Sequence, residues 1–490
     1  NDNITVSDSK SITTNSGDIT LWSNSDEDGG YIYIQDGVTI DSRTASDRTA
    51  SNINTASSGG AITLGGGAGT TTPTGYALQN TTSTTSTTPA GIMLGTTGGA
   101  HDSNIAIYSG GGNISLKGKA TNTNTNTSYI SGIYSQSGLK LDSGVSGNIS
   151  FDGSASKSSG TVYGIALTGK DTDNLYLRSN NGDITLNGEA GQSAFNPSAE
   201  YGVYLTGHGD NKTENFIEAT GTGNISIIGS AVEGQDTSRD YHIVATNILA
   251  SSGDITISGT SSNVYKRGFI NFASIGSYTY PSLFAGDSNL VTSSSSNISI
   301  LHDQPEFTFN DGGSSISVIA NIETSGTLTF APYNDDFQHT TLTLPSNLSI
   351  ANSVTGLTIG KSATSSDGTN DLDVTISNAI DISGPINIYG KDITINENID
   401  TSRGSGGDIL LKASGNIITA DTKDITTAGG DITLWSDSDA SNAGYIQIGD
   451  QSDLSSAGGD ITLSGGSSLI SGYANGSTNA YGVSIGVDGS

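Results

Sequence analysis

The 490-residue chain contains no cysteine. Disulfide scaffolds, cysteine-ligated zinc, iron–sulfur clusters and thiol catalysis are therefore excluded. A long cysteine-free chain accords with export across a cell envelope before folding. Basic residues are also scarce, 18 Lys and Arg against 48 Asp and Glu, for a net charge of −30. That balance opposes binding along a phosphate backbone and against an anionic membrane surface, so neither nucleic acid nor membrane insertion is expected. Only nine of the acids are Glu, so the charge is mostly Asp, a turn residue. No run approaches the roughly 18 apolar residues that a spanning helix needs. The chain starts at Asn1 with neither an initiator methionine nor a signal segment, and reads as an internal piece of something longer.

Glycine, by contrast, is abundant at 67 residues, and hydrophobic residues make up 33%. Ser, Thr, Asn and Asp fill most of the rest. These side chains compete with the helix for backbone hydrogen bonds, and glycine loses the most entropy in one. Short strands and many turns are the expectation. One pattern recurs along almost the whole chain: Gly, Asp or Asn, Ile, Thr or Ser, then a large apolar residue. It stands at Gly17-Asp18-Ile19, Gly112-Asn113-Ile114, Gly147-Asn148-Ile149, Gly182-Asp183-Ile184, Gly223-Asn224-Ile225, Gly253-Asp254-Ile255, Gly430-Asp431-Ile432 and Gly459-Asp460-Ile461. Ile-Thr-Leu alternates inward and outward as a strand must. The preceding Gly-Asp or Gly-Asn is expected to be a turn that tolerates positive φ.

Between Gly147 and Gly253 the units are 35, 41 and 30 residues long, and each holds three apolar runs without a helix. One unit reads Ile149-Ser-Phe151, Tyr163-Gly-Ile-Ala-Leu167, Leu175-Tyr-Leu177. Three short strands per unit predict an all-β fold, a right-handed parallel β-helix or β-solenoid in which stacked rungs bury an apolar column. Long loops are expected after the Gly-Asp-Ile strand, at Lys117–Ser128, Asp152–Thr161, Asn187–Glu200 and Gly229–Asp240, all along one edge.

A longer repeat is superposed. Lys10 through Asp26 returns as Lys423 through Asp439, 413 residues on, with Trp22 matched by Trp435. The chain therefore divides into rungs over 1–261, an aromatic and proline-richer segment at 262–345, and rungs over 346–490, of which 423–490 begins a second copy. The middle segment holds seven of ten Phe and four of eight Pro. It suits an insertion, or wider rungs with aromatic residues stacked inside.

No constellation carries catalysis. Ser484 fits a nucleophile-elbow spacing, but its slot is Ala166 and Tyr204 in the sibling strands. Gly360-Lys361-Ser362 ends like a phosphate loop whose first glycine is one residue too close. Asp171-Thr172-Asp173, Gly207-His208-Gly209 and Asp335-Asp336 echo the motifs of pectin-cleaving β-helices in the wrong order, without the basic triplet. The five His are dispersed. Asp26, Glu27, Asp28, Asp171, Asp173, Asp371, Asp373, Asp437 and Asp439 offer oxygen ligands, with Asp26, Asp28, Asp437 and Asp439 the weak calcium candidates. None matches a calcium-loop pattern, and a solvated turn is the plainer reading.

The repeated Gly-Asp/Asn-Ile-Thr/Ser turns, the absence of cysteine and the Ser/Thr/Asn/Gly richness resemble the large exoproteins of two-partner secretion, the filamentous-haemagglutinin-like adhesins. The resemblance covers nearly the whole chain and transfers no functional residue. It implies export through a dedicated outer-membrane pore, a bacterial surface location, and a role in adhesion or biofilm. The expected function is an extracellular fibrous adhesin or matrix protein without enzymatic activity or cofactor, contacting other copies of itself or cell-surface glycans. A purely structural filament or surface layer is the alternative, and a polysaccharide-acting enzyme the third.

Overall fold

The computed structural model describes the chain outside residues 1–2, 26–28, 50–55, 70, 82–89, 96–103, 123–128, 158–159, 169–174, 193–198, 207–215, 232–238, 245–246, 260–266, 272–281, 286–295, 304, 309–319, 334–340, 345–347, 363–371, 405, 470–471, 477–480 and 487–490. The chain forms two compact units, 1–288 with 308–316, and 289–307 with 317–490. Both are parallel β-helices with three strands per turn. Among the described residues the only helix is Ala45–Thr49.

In the first unit the chain visits three sheets in fixed order. Sheet A opens with Ile4–Val6, sheet B with Ser11–Thr13 and sheet C with Ile19–Trp22. Each later visit pairs in parallel with the one before, so that in sheet C Ile19, Ile62, Ile114, Ile149, Ile184, Ile225 and Ile255 form one column. Every member of that column is buried. In the second unit the column of sheet D runs Ile298, Leu328, Leu357, Ile386, Ile409, Ile432 and Ile461. Sheet E carries Val374, Ile393, Ile417 and Ile446, and sheet F carries Ile380, Ile399, Ile425 and Leu454. Parallel crossovers of this kind coil right-handed. One rung alone leaves its Ile and Leu wet. A rung above and a rung below remove them from water, at about 1.5–3 kcal/mol per large side chain.

The Gly-Asp-Ile motif works differently from the turn expected of it. Left-handed backbone falls one residue earlier, at Ser16, Gly406, Gly429 and Gly458. The motif glycine is needed for closeness. A Cβ added to Gly182 would lie under 3.0 Å from the carbonyl of Gly147, and the same holds for Gly223 against Gly182 and Gly430 against Gly407. Gly17, on the first rung, would meet only the Thr14 side chain, at 3.6 Å or more. The Asp or Asn then supplies an acceptor for the next rung. Asn148 N–H donates to Asn113 Oδ1 at 2.9 Å, Asp183 N–H to Asn148 Oδ1 at 2.8 Å, and Asn224 N–H to Asp183 Oδ1 at 2.8 Å. In the second unit Asp431 N–H donates to Asp408 and Asp460 N–H to Asp431, at 2.9 and 2.8 Å. The side chain thus replaces a backbone carbonyl just where the strand has not yet begun. The residue after it restores the ordinary ladder, as in Ile149 N–H to Asp183 O at 2.8 Å.

The segments expected to be long loops begin as strand. Ile114–Asn122, Ile149–Lys157, Ile184–Gln192 and Ile225–Ala231 run straight past the core. The cause is a shared Gly-x-Ala. Gly118, Gly153 and Gly188 lie so close to Gly132, Gly164 and Gly202 of sheet A that any Cβ would lie under 3.0 Å from a facing carbonyl. Beyond this pinch the two sheets close on a second, thin core of Ala120, Ile130, Ala155, Val162 and Ala190. The result is a fin along one edge of the unit. In the 262–345 segment Phe330 is fully buried between Ile300 and Ile359, an aromatic residue inside the column.

Candidate functional site: a tyrosine face on sheet A

Strands of sheet A alternate, so what is not Ile, Val or Leu inside projects outside. At one outward register stand Tyr33, Met93, Tyr134, Ala166 and Tyr204. Two strands also carry Tyr163 and Tyr201 side by side in a neighbouring register. Tyr163 and Tyr201 are stacked at 5.3 Å between ring centroids, with 13° between planes. Tyr204 meets both edge-on, at 5.2 Å from Tyr163 and 5.0 Å from Tyr201. Tyr129 and Tyr134 are 5.1 Å apart. Edge and offset contacts of this sort add about 0.5–1.5 kcal/mol each beyond burial.

The rings form a layer over the sheet. Ala90, Met93 and Ala166 are fully buried and Tyr134 is 9% exposed, with Tyr33, Tyr129, Tyr163 and Tyr204 half-buried around them. Burial pushes the phenols of Tyr129, Tyr134, Tyr163 and Tyr204 above their ordinary value, since a phenolate would lose its hydration. At neutral pH the face therefore presents flat apolar rings rimmed with uncharged hydroxyls. Its chemistry is stacking plus hydrogen bonding.

A second polar cluster lies at the sheet B corner. Asp41 and Arg43 form a buried pair at 2.6 Å, and Arg43 lies 4.4 Å over the Tyr108 ring. Burial raises the Asp142 carboxyl, against the pull of Arg178 and Arg43. These groups pin the excursion that contains Ala45–Thr49, with Val145 N–H donating to Ala56 O at 3.0 Å. The cluster is a structural clasp.

The motif residues Gly17, Asp18, Ile19, Gly182, Asp183, Ile184, Gly430, Asp431 and Ile432 occupy the rung ladder described above. Asp437 is buried at φ 49°, and its carboxylate caps a turn by accepting from Ala443 N–H at 3.2 Å and Ser441 Oγ at 3.3 Å. Asp439 accepts from Ser441 N–H at 3.1 Å. Both carboxylates thus serve their own turn. Asp26, Glu27 and Asp28 lie outside the described residues, as do Asp171, Asp173, Asp371, His208 and Asp335-Asp336. Among the described residues no three His, Asp or Glu side chains gather as a metal-binding group, and no helix is long and apolar enough to cross a membrane.

Sequence reasoning passed over the tyrosines because it took the Tyr-Gly strands as rung elements only. The available signal was positional. Tyr33, Tyr134 and Tyr204 each stand between two inward residues, at a place where Ser or Thr would satisfy the strand equally well. No protein-family model, curated protein or solved structure matches the chain.

Proposed function

We propose that the chain belongs to an extracellular fibrous adhesin or biofilm-matrix protein of a bacterial surface, and that it acts by many weak contacts instead of one pocket. The tyrosine face carries this reading. Tyr33, Tyr129, Tyr134, Tyr163, Tyr201 and Tyr204 come from four turns of one sheet, with Met93 on the turn between Tyr33 and Tyr134, and they pack together on its outward side. A strip of rings and hydroxyls suits the alternating apolar faces and hydroxyl edges of a neutral glycan chain. The net charge of −30 disfavours polyanions. Each ring contributes little alone. Several along one polymer add by effective concentration, which can exceed a single contact by about 10²–10⁴-fold.

The test is affinity electrophoresis of the whole chain in gels cast with neutral β-linked glucan or N-acetylhexosamine polymers. Retardation is expected, and a Tyr163→Ser, Tyr201→Ser, Tyr204→Ser variant should lose at least tenfold in affinity while keeping its β circular dichroism. A wild-type chain that migrates freely through every neutral polymer would end the glycan reading.

A further inference from the structure

Without cysteine, no disulfide ties one turn of the first unit to the next. Other side chains that oxidants attack are few and lie apart. The single methionine, Met93, is fully buried. The two tryptophans stand off sheet A, Trp22 in sheet C and Trp435 in sheet D. Tyrosine is the exception, at 19 residues, and sheet A gathers a group of them into ring contact.

Within that group one pair is set apart by its geometry. Tyr163 and Tyr201 are direct partners across neighbouring parallel strands. Their rings are stacked, 13° from parallel, whereas Tyr204 meets each of them edge-on. A stack brings ring carbon over ring carbon, and an edge contact brings a C–H against a ring face. The backbone beneath the pair is fixed, because Ile165 pairs with Val203 and Leu167 with Leu205, all four fully buried. Tyr163 and Tyr201 are each half-buried, so a small oxidant reaches them from the solvent side.

We infer that Tyr163 and Tyr201 are a site of oxidative coupling, where a dityrosine bond staples two neighbouring turns. The oxidant is hydrogen peroxide acting through a haem peroxidase, supplied from outside the chain. Each phenol gives up one electron and its hydroxyl proton, which leaves two phenoxyl radicals. The radicals join through the carbons ortho to their oxygens. Each of these carbons then loses its hydrogen as a proton, the phenoxyl oxygen regains one from solvent, and the ring is restored. One C–C bond forms and two C–H bonds break, and the two hydrogens lost reduce hydrogen peroxide to two waters. The site shares the tyrosine face and goes beyond the glycan reading, since the coupling needs no glycan.

The experiment treats the whole folded chain with a haem peroxidase and hydrogen peroxide in the absence of any polymer, then digests it with trypsin. Peptides 158–170 and 179–212 are expected as a linked pair, two hydrogens lighter than their sum, with fragment ions placing the bond at Tyr163 and Tyr201. This link should exceed any through the exposed Tyr333, Tyr473 or Tyr481 at least tenfold. Tyr163→Phe or Tyr201→Phe keeps the stack and should abolish it, whereas Tyr204→Phe should leave it. Oxidation of the wild-type chain in urea should remove the preference. The linked chain should melt above the unlinked one, because the bond removes conformations from the unfolded state. Links scattered over the exposed tyrosines, a dominant Tyr163–Tyr204 link, a yield that unfolding leaves unchanged, or a linked chain that melts no higher overturns the inference. A chain that couples as expected yet migrates freely through every neutral polymer ends the glycan reading alone.

Discussion

At the scale of single residues, the repeat makes sharp distinctions between identical amino acids. Gly182 sits where a Cβ would press on the Gly147 carbonyl, and a Cβ at Gly17 would make only ordinary contact with the Thr14 side chain. Gly182→Ala should therefore cost several kcal/mol, about the 1–3 kcal/mol or more of overpacking, whereas Gly17→Ala should be neutral or stabilising by up to about 1 kcal/mol. Urea denaturation of the two variants decides, and equal effects would refute the close-approach account. In the aspartate ladder, Asp431 lies between Asp408 and Asp460, each bridged to the next by an N–H to Oδ1 bond. Asp431→Asn keeps the acceptor and removes a like charge from the stack. Stability should rise by roughly 0.2–1 kcal/mol at low salt, with the gain vanishing in molar salt. The tyrosines give the pH dependence. Burial raises Tyr76 and Tyr176 to about 12 from an ordinary value of 10.0, and raises Tyr129, Tyr163 and Tyr204 as well. A folded-state pKa above the unfolded one means stability intact below pH 10 and lost as pH climbs through the folded values. The buried tyrosines should hence ionise together with loss of β circular dichroism above about pH 10, as a cooperative component of the tyrosinate absorbance. An absorbance change with no component that coincides with the loss of β structure would contradict it.

At the scale of elements, the fin shows what pattern reading reached and what it missed. The three-strand turn was legible, because Ile149-Ser-Phe151 and Leu175-Tyr-Leu177 alternate cleanly. The fin was not, because Gly153-Ser-Ala155 looks like loop composition. Only the facing Gly164 makes a strand of it, and that is a contact between two sheets. The same limit hid the role of Asp183, whose partner is 41 residues on. Local chemistry suggested a turn, and the neighbouring rung made it an acceptor. Since the fin core is built of alanine against Ile130 and Val162, it has no room to spare. Ala155→Leu should cost about 1–3 kcal/mol by overpacking, measured as a loss of exchange protection confined to 114–122, 149–157 and 184–192. Uniform loss across sheets B and C would mean that the fin and the main column share one core.

At the scale of the molecule, the 413-residue repeat was plain in the letters, and its structural meaning lay in a few matched details such as the indoles of Trp22 and Trp435, which donate to Gly67 O and Gly466 O. The tyrosine face was not legible as a site. It depends on which side of sheet A each ring takes, and a glycine at Gly132, Gly164 and Gly202 shifts the simple alternation by one residue in each strand. Charge also belongs to this scale. A net −30 spread over Asp-rich turns makes the aspartate steps of the ladder sensitive to ionic strength. The melting temperature should rise with monovalent salt up to a few tenths molar and then level off, and a monotonic fall would show that the acids are net stabilisers.

The ladder of Asp and Asn side chains has a direction. In every case the later rung's N–H finds an oxygen that the earlier rung already holds in place, as Asp254 finds Asn224 at 2.9 Å. A chain emerging amino end first therefore meets a finished template at each step. It need close only one turn at a time, so the entropy of each closure is that of some thirty residues instead of hundreds. Winding can therefore proceed from one end, with each completed turn holding the next in place.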